Sequence, residues 1–470
     1  MEKVVDHPKL LLYAVLLCAC LSLMGCQRSE APSPTPPAPQ RIEVPVTVEV
    51  TRIITQQIVV EATPTPPQAC RPESLDQAEE IRIGAIVPLS KPGAARYGFS
   101  MQAALTIAAT DVNDSGGIQG KPVRLITYDS AGIPERAAQY AQRLITQDCV
   151  SAIVGIFHSN VGMAVAQVAH TFGIPLVVAE ARADEITAQT LPEVFRIGPT
   201  NSMVGRWPAE WMASTGDRNG DGRLLAVLLA ENSTYGQILD ERLRQWLPQF
   251  GIETQTLPVD LPADDFTSVI ARIVAMDTLP DAIFLLVQGE SALNLAQQLL
   301  GAGIGPQRQT VLVMNSVALN SPLFWQRVPE GTGTVVARVG AWESTVGEMG
   351  RAFAGKYRQY FDTWPEGYAF TAYDSLRLVA DALNRATTPA GDDLIRALEE
   401  SDVELAGGHY YFPYGRANPP DGETVPAYMW HQWPDYPLLF LQYTEAGQDA
   451  AAMPIIWPEK YRTEEAPASR

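Results

Sequence analysis

The chain has 470 residues, enough for two domains of ordinary size and too many for one simple core. Hydrophobic residues make up 46% of it and charged residues 19%, a globular balance that excludes collagen-like and disulfide-dense classes. Acidic side chains outnumber basic ones 53 to 34, and a net charge of -19 with no dense run of Lys or Arg argues against nucleic acid as a partner and against binding to anionic lipid through surface charge.

The N-terminus offers a different route to a membrane. Lys3 and Lys9 precede an apolar run, Leu10 to Met24, broken only by Ser22. The run is shorter than the about 20 residues a spanning helix needs and has the length of a signal-peptide core. It ends in Leu23-Met24-Gly25-Cys26, which resembles the bacterial lipobox. That resemblance implies removal of residues 1–25, acylation of Cys26, and a chain held by lipid at the outer face of the cytoplasmic membrane. Cys18 and Cys20 leave with the signal, so Cys70 and Cys149 remain. In an oxidising compartment these two suggest a disulfide, with a pair of buried free thiols as the other reading. Closing a loop of about 80 residues would stabilise the fold by roughly 4 kcal/mol.

Residues 26–75 read as a tether. Pro-Thr-Pro-Pro occurs at Pro34 to Pro37 and again at Pro64 to Pro67, and the Val/Thr alternation from Val44 to Val60 is β-prone. Strands and helices then alternate. Ile81–Pro88 predicts a strand, Tyr97–Asn113 a helix closed by Gly116-Gly117, Val123–Tyr128 a strand and Glu135–Gln147 a helix. Ala152–Gly155 follows as a strand, Val161–Phe172 as a helix ended by Gly173, and Pro175–Ala179 and Val194–Ile197 as strands. The cycle restarts with strands at Leu224–Ala230, Glu253–Val259, Ala282–Val287, Val311–Met314 and Val335–Trp342. Helices at Gln237–Gln249, Phe266–Ala275 and Ala292–Leu300 fall between them. Three more helices, Glu348–Phe361, Tyr368–Ala386 and Asp392–Glu400, lead into an aromatic stretch from His409 to Tyr443 that predicts a β region. Short apolar strands separated by helices mean parallel sheets covered on both faces, with ligands bound outside the carboxyl ends of the strands.

At this point the sequence resembles a known family. Ile81-Arg-Ile-Gly-Ala-Ile-Val-Pro-Leu-Ser90, Tyr97-Gly98, Asp111-Val-Asn-Asp-Ser-Gly-Gly-Ile118, Arg143-Leu-Ile-Thr-Gln147, Gly173-Ile-Pro-Leu176 and Tyr235-Gly236 are similar, in order and spacing, to the branched-chain-amino-acid-type periplasmic binding proteins. These are the solute receptors of ATP-driven importers. The resemblance spans roughly residues 80–455. It implies an α/β fold of two Rossmann-like lobes with parallel sheets, joined by a three-crossover hinge, the type I periplasmic binding protein fold. Lobe I would comprise residues 80–199 and 340–424, and lobe II residues 200–339 and 425–460. The crossovers would lie near Pro199, Val339 and about Val425. The implied partners are a small-molecule ligand, an ABC permease and its ATPase subunits, with the protein itself a monomer. A ligand-sensing receptor working with a separate signalling protein is the other role open to such a clam. The chain ends at Arg470 without a second hydrophobic segment or kinase, which disfavours self-contained signalling.

The resemblance also assigns binding residues. The loop Gly155-Ile-Phe-His-Ser-Asn160 leaves a strand and opens a helix, where amides and the helix dipole suit a carboxylate. His158, Ser159 and Asn160 fall on the family's carboxylate positions, although Ser159 or Asn160 also reads as a plain N-cap. In the next loop, Ala181 and Arg182 stand where the family presents a backbone carbonyl and a hydroxyl. Arg182 departs from that pattern and would either grip an acid bidentately or swing to solvent. Tyr97 and Tyr235 match the two tyrosines that pack ligand from opposite lobes. In the second lobe the family's acidic partner for an ammonium falls near Ser316, which is no carboxylate; Gln288 lies in the neighbouring loop, and Glu290 beside it is a possible substitute. An amino acid ligand is thus in doubt, because an ammonium without a counter-charge is costly to bury. No nucleophile with a base, no metal-spaced His and no phosphate loop emerges. We expect no enzyme, no cofactor and no metal. Asp217-Arg-Asn-Gly-Asp-Gly222 looks like half an EF-hand loop, but its twelfth position is Leu228, so it reads as a turn.

Overall fold

Strands that are apolar at successive positions need cover on both faces, and the chain provides it twice. The computed structural model describes Cys70 and residues 79–463. The expected signal segment, Cys26 and most of the expected tether lie outside the described residues. The first sheet contains β1 (Ile81–Val87), β2 (Val123–Asp129), β3 (Ala152–Gly155), β4 (Leu176–Val178) and β5 (Val194–Arg196), all parallel, in the order β2-β1-β3-β4-β5. Between them run α1 (Ala95–Asp114), α2 (Pro134–Thr146), α3 (Ser159–Phe172) and the short α4 (Glu185–Ala188). The two-residue period of β1 divides its side chains: Ile83, Ala85 and Val87 pack in one apolar cluster with α1, and Ile86 packs in another with α2 and α3. At Gly84 a Cβ would stand 2.8 Å from a terminal methyl of Leu144, so glycine lets α2 lie this close without displacing that side chain.

After α5 (Asn201–Thr215) the chain builds the second sheet from β6 (Leu225–Glu231), β7 (Glu253–Val259), β8 (Ala282–Leu286), β9 (Val311–Met314) and β10 (Val335–Val339). Its helices are α6 (Thr234–Trp246), α7 (Thr267–Val274), α8 (Gly289–Gly301) and α9 (Ser321–Arg327). Next come α10 (Glu348–Phe361), α11 (Gly367–Arg385) and α12 (Asp392–Glu399), which return to the first sheet, with α10 and α11 against α1. A hairpin of β11 (Asp402–Glu404) and β12 (His409–Tyr411) precedes β13 (Leu438–Gln442) and β14 (Ile455–Trp457). The second sheet has the order β14-β13-β10-β9-β8-β6-β7, parallel except for its last two strands to be made. Here too alternate residues divide: Leu228, Phe284, Val313 and Phe440 face α5 and α6, while Leu229, Ile283, Leu312 and Leu439 face α7 to α9.

Two expectations need correction. The aromatic stretch from His409 to Tyr443 is mostly loop, with only β12 and β13 as strands. Pro413, Pro419, Pro420, Pro426, Pro434 and Pro437 remove the amide donors that a sheet there would need. Its rings are packing: Tyr410, Trp430, Trp433 and Tyr436 are buried, and Tyr410 lies against Trp433 with centroids 4.2 Å apart. The third passage between sheets also falls later than Val425. The Arg196 amide donates to the His431 carbonyl and the Trp433 amide to the Arg196 carbonyl, both at 2.9 Å, so the chain still runs beside β5 at Trp433. It reaches the second sheet only where Leu438 pairs with Val339.

Candidate functional site

Both tyrosine-glycine pairs are set by the same device. A Cβ at Gly98 would stand 1.8 Å from the Pro88 carbonyl oxygen, and one at Gly236 2.2 Å from that of Glu231. Each glycine lets the first turn of a helix, α1 or α6, sit directly on the end of the strand before it. That contact fixes the preceding tyrosine at a strand's carboxyl end. Tyr97 is half exposed and stacks on Phe157 at 5.3 Å, with Tyr368 edge-on at 5.4 Å. Tyr235 is more enclosed. Burial raises its pKa, and Asn315, whose Nδ2 donates to the phenol at 3.3 Å, pulls the other way. The Glu231 carboxylate and the Tyr97 phenol each push it further upward.

In the loop after β3, Gly155 and Ile156 both have positive φ, 98° and 68°. A β-branched residue rarely adopts that conformation. Here Ile156 is fully buried, donates to the Ile86 carbonyl at 3.0 Å and accepts from the Glu180 and Ala181 amides at 3.2 Å. The loop is thereby tied to the next one. His158, rather than Ser159 or Asn160, is the N-cap residue of α3, and no side chain caps it. Ser159 Oγ accepts from the Ala183 amide at 3.1 Å, and Asn160 Oδ1 accepts from the Val161 amide at 2.9 Å. His158 packs its ring near Gly132, burial lowers its pKa, and its Nδ1 has no hydrogen-bond partner.

Arg182 does not swing to solvent. Its Nε donates to Glu180 Oε1 at 2.8 Å, while its carbonyl accepts from the Asn201 amide at 2.7 Å at the start of α5. Glu180 is buried and desolvation raises its pKa, against the pull of the Arg182 charge. A second pair joins β10 to the N-cap of α11: buried Arg338 holds Glu366 at 2.8 Å and the Pro365 carbonyl at 2.8 Å.

A cavity of about 290 Å³ opens beside these groups. Its floor is the α5-facing side of the second sheet, with Phe284, Val313 and Phe440; its roof is Trp207 and Pro208 of α5 and Leu239 of α6. Arg182, Glu366, Tyr235, Asn315, Ser316, Arg242 and Arg338 supply its polar lining. Of the expected residues, Arg182, Tyr235 and Ser316 are thus brought together. Tyr97, His158, Ser159, Asn160, Ala181 and Gln288 do not line this cavity. Ala181 is fully buried, and Gln288 is exposed, its amide donating to Glu231 at 2.8 Å. Glu290 is no counter-charge for this site, because it is exposed and pairs with Arg327 at 2.9 Å. Sequence reading missed Phe157, Glu231, Arg242, Asn315, Arg338, Glu366 and Tyr368. Cys70 and Cys149 form a disulfide with Cα atoms 4.9 Å apart. Asp217 folds its own turn, accepting from the Gly220 and Gly222 amides at 2.7 Å.

Two lobes of α/β build, with a largely apolar cavity at the carboxyl ends of parallel strands, define a solute-binding protein. A family model described as "Periplasmic binding protein" matches residues 80–433. The chain belongs to that family, which is one of binding proteins and not of enzymes. It is 26% identical over 371 residues to a "Leu/Ile/Val-binding protein homolog 7" of Brucella abortus, covering 76% of this chain and 90% of that one. In fold it is similar to the branched-chain amino acid transporter substrate-binding protein LivJ of Streptococcus pneumoniae, solved with isoleucine. There the TM-score is 0.56 and the identity 22%, over 81% of this chain and 100% of that one. A solute-binding protein from R. palustris, solved with benzoate, gives a TM-score of 0.54 at 19% identity, over 80% of this chain and 95% of that one.

Proposed function

We propose that this protein is an extracytoplasmic solute receptor, held to the outer face of the cytoplasmic membrane by lipid on Cys26, that delivers a small amino acid, amide or carboxylate to an ABC-type permease. The observation that carries this reading is the cavity lining. Arg182 and Glu366 come from segments packed with the first sheet, and Tyr235, Asn315 and Ser316 come from the second. A solute seated there touches both sides of the hinge, so it binds closed and open forms with different free energies. Such a difference is what a ligand needs in order to shift the two populations. The relatives support a solute of this size: one is named for Leu, Ile and Val, and two structural neighbours hold isoleucine and benzoate.

The test is a thermal-shift screen of the purified protein against amino acids, amides and small carboxylates. A true ligand raises the melting temperature by mass action. The variant Tyr235→Ala should weaken the hit at least tenfold, and a screen in which no solute shifts the transition would sink the receptor reading. For the anchor, Cys26→Ser should move the protein from membranes to the aqueous fraction; a variant that stays with membranes contradicts lipidation at that residue.

A further inference from the structure

The cavity is unequal in charge, and that inequality identifies the kind of solute. Three guanidinium groups reach it, from Arg182, Arg242 and Arg338, against one carboxylate, Glu366. Arg182 is matched by Glu180 and Arg338 by Glu366. Arg242, on the inward face of α6, has no carboxylate within ion-pair distance among the described residues. Its Nη2 donates to a neutral acceptor, Asn201 Oδ1, at 2.9 Å. Burial lowers its pKa and the neighbouring Arg182 charge lowers it further, with Asp184, beyond ion-pair distance, pulling the other way. A second donor is also unmatched: Trp207 is 4% exposed and its indole Nε1 has no hydrogen-bond partner. Among the described residues Glu366 is the one carboxylate that lines the cavity, and Arg338 holds it; Glu231, which accepts from the Gln288 amide and the Ser233 hydroxyl, and Glu290, paired with Arg327, do not line it.

We propose that Arg242 anchors the carboxylate of a small organic acid that lacks an amino group, with its hydrocarbon body lying against Trp207, Phe284 and Phe440 in the second lobe. The proposal rests on the receptor reading and narrows its solute class. A planar guanidinium forks onto a carboxylate with two parallel hydrogen bonds, and a half-buried cation without a direct ion-pair partner gains most from such a group. The rings and aliphatic side chains of the floor and roof favour an apolar body. A zwitterion would bring the same carboxylate together with an ammonium that finds no partner, and that costs affinity.

The experiment is calorimetric titration of the full-length protein with two matched pairs, leucine against isocaproate and phenylalanine against hydrocinnamate. Within each pair the carbon skeleton is shared and only the ammonium differs. The acid of at least one pair should bind ten or more times tighter than its amino acid. Arg242→Gln should weaken that acid at least tenfold, and Arg242→Lys should recover part of the loss at an unchanged melting temperature. Tighter binding of the amino acids, or an Arg242→Gln variant that keeps the acid's affinity, overturns the proposal and leaves the receptor reading standing. If none of the four binds, the proposal is overturned as well, and the broader screen of amides and other solutes then decides the receptor reading on its own.

Discussion

Gly236→Ala tests the link between sequence, packing and binding most severely. The added Cβ would lie 2.2 Å from the Glu231 carbonyl oxygen and 2.8 Å from the Glu231 amide nitrogen. Both are backbone atoms at the end of β6, where Glu231 pairs with Val259, so no rotamer change relieves the clash. The first turn of α6 must lift from the strand. Forced overpacking of this kind costs about 1–3 kcal/mol. The same movement displaces Tyr235, Leu239, Arg242 and Leu243, which all stand on α6 and line the cavity. Stability and affinity should therefore fall together, read as a lower urea midpoint and a weaker calorimetric titration with the best ligand. Gln237→Ala, one residue on and exposed, serves as the control and should change little. A Gly236→Ala protein that loses under about 0.5 kcal/mol, within the range of ordinary surface changes, and binds as before would show that this contact does not position α6.

Two further outcomes concern Glu399 and the disulfide. Burial would raise the Glu399 pKa, but hydrogen bonds from His431 and Arg416 outweigh it and hold the carboxyl at about 2, below its ordinary 4.5. A carboxyl lowered on folding stabilises the native state above its unfolded pKa, and that contribution is lost as pH falls from about 4.5 to about 2. Glu399→Gln should shrink the drop in urea midpoint between neutral and acid pH; an identical drop in variant and parent would contradict this role. Reducing the Cys70–Cys149 bond, which spans 79 residues, should destabilise the fold by up to roughly 4 kcal/mol. An unfolding transition indifferent to reductant would argue against that contribution.

Much of the fold was legible because its signals are local. Apolar runs such as Ile81–Val87 and Ala282–Leu286 admit only strands covered on both faces, and Gly173, with φ of 65°, ends α3 as a glycine after a helix should. The stretch from His409 to Tyr443 misled because its aromatic content suggests strands while its prolines forbid them. Tyr97 and Tyr235 were assigned through the family resemblance carried by Tyr97-Gly98 and Tyr235-Gly236, and of the two Tyr235 lines the cavity. Arg242 was not noticed, although α6 carries the sign: Tyr235, Leu239, Arg242 and Leu243 fall at i, i+4, i+7 and i+8, one face interrupted by a single charge. Arg338 and Glu366 meet across distant segments, and no local pattern announces such a pair. Arg182 was weighed between ligand and solvent, but its partner, Glu180, stood two residues away.

The most direct measurement is diffraction from crystals grown with the solute that gives the largest thermal shift. Density for that solute should lie between Arg182 and Tyr235, reaching toward Trp207 under α5. Density confined to a surface remote from the second sheet's strand ends, with this cavity filled only by water, would contradict that placement.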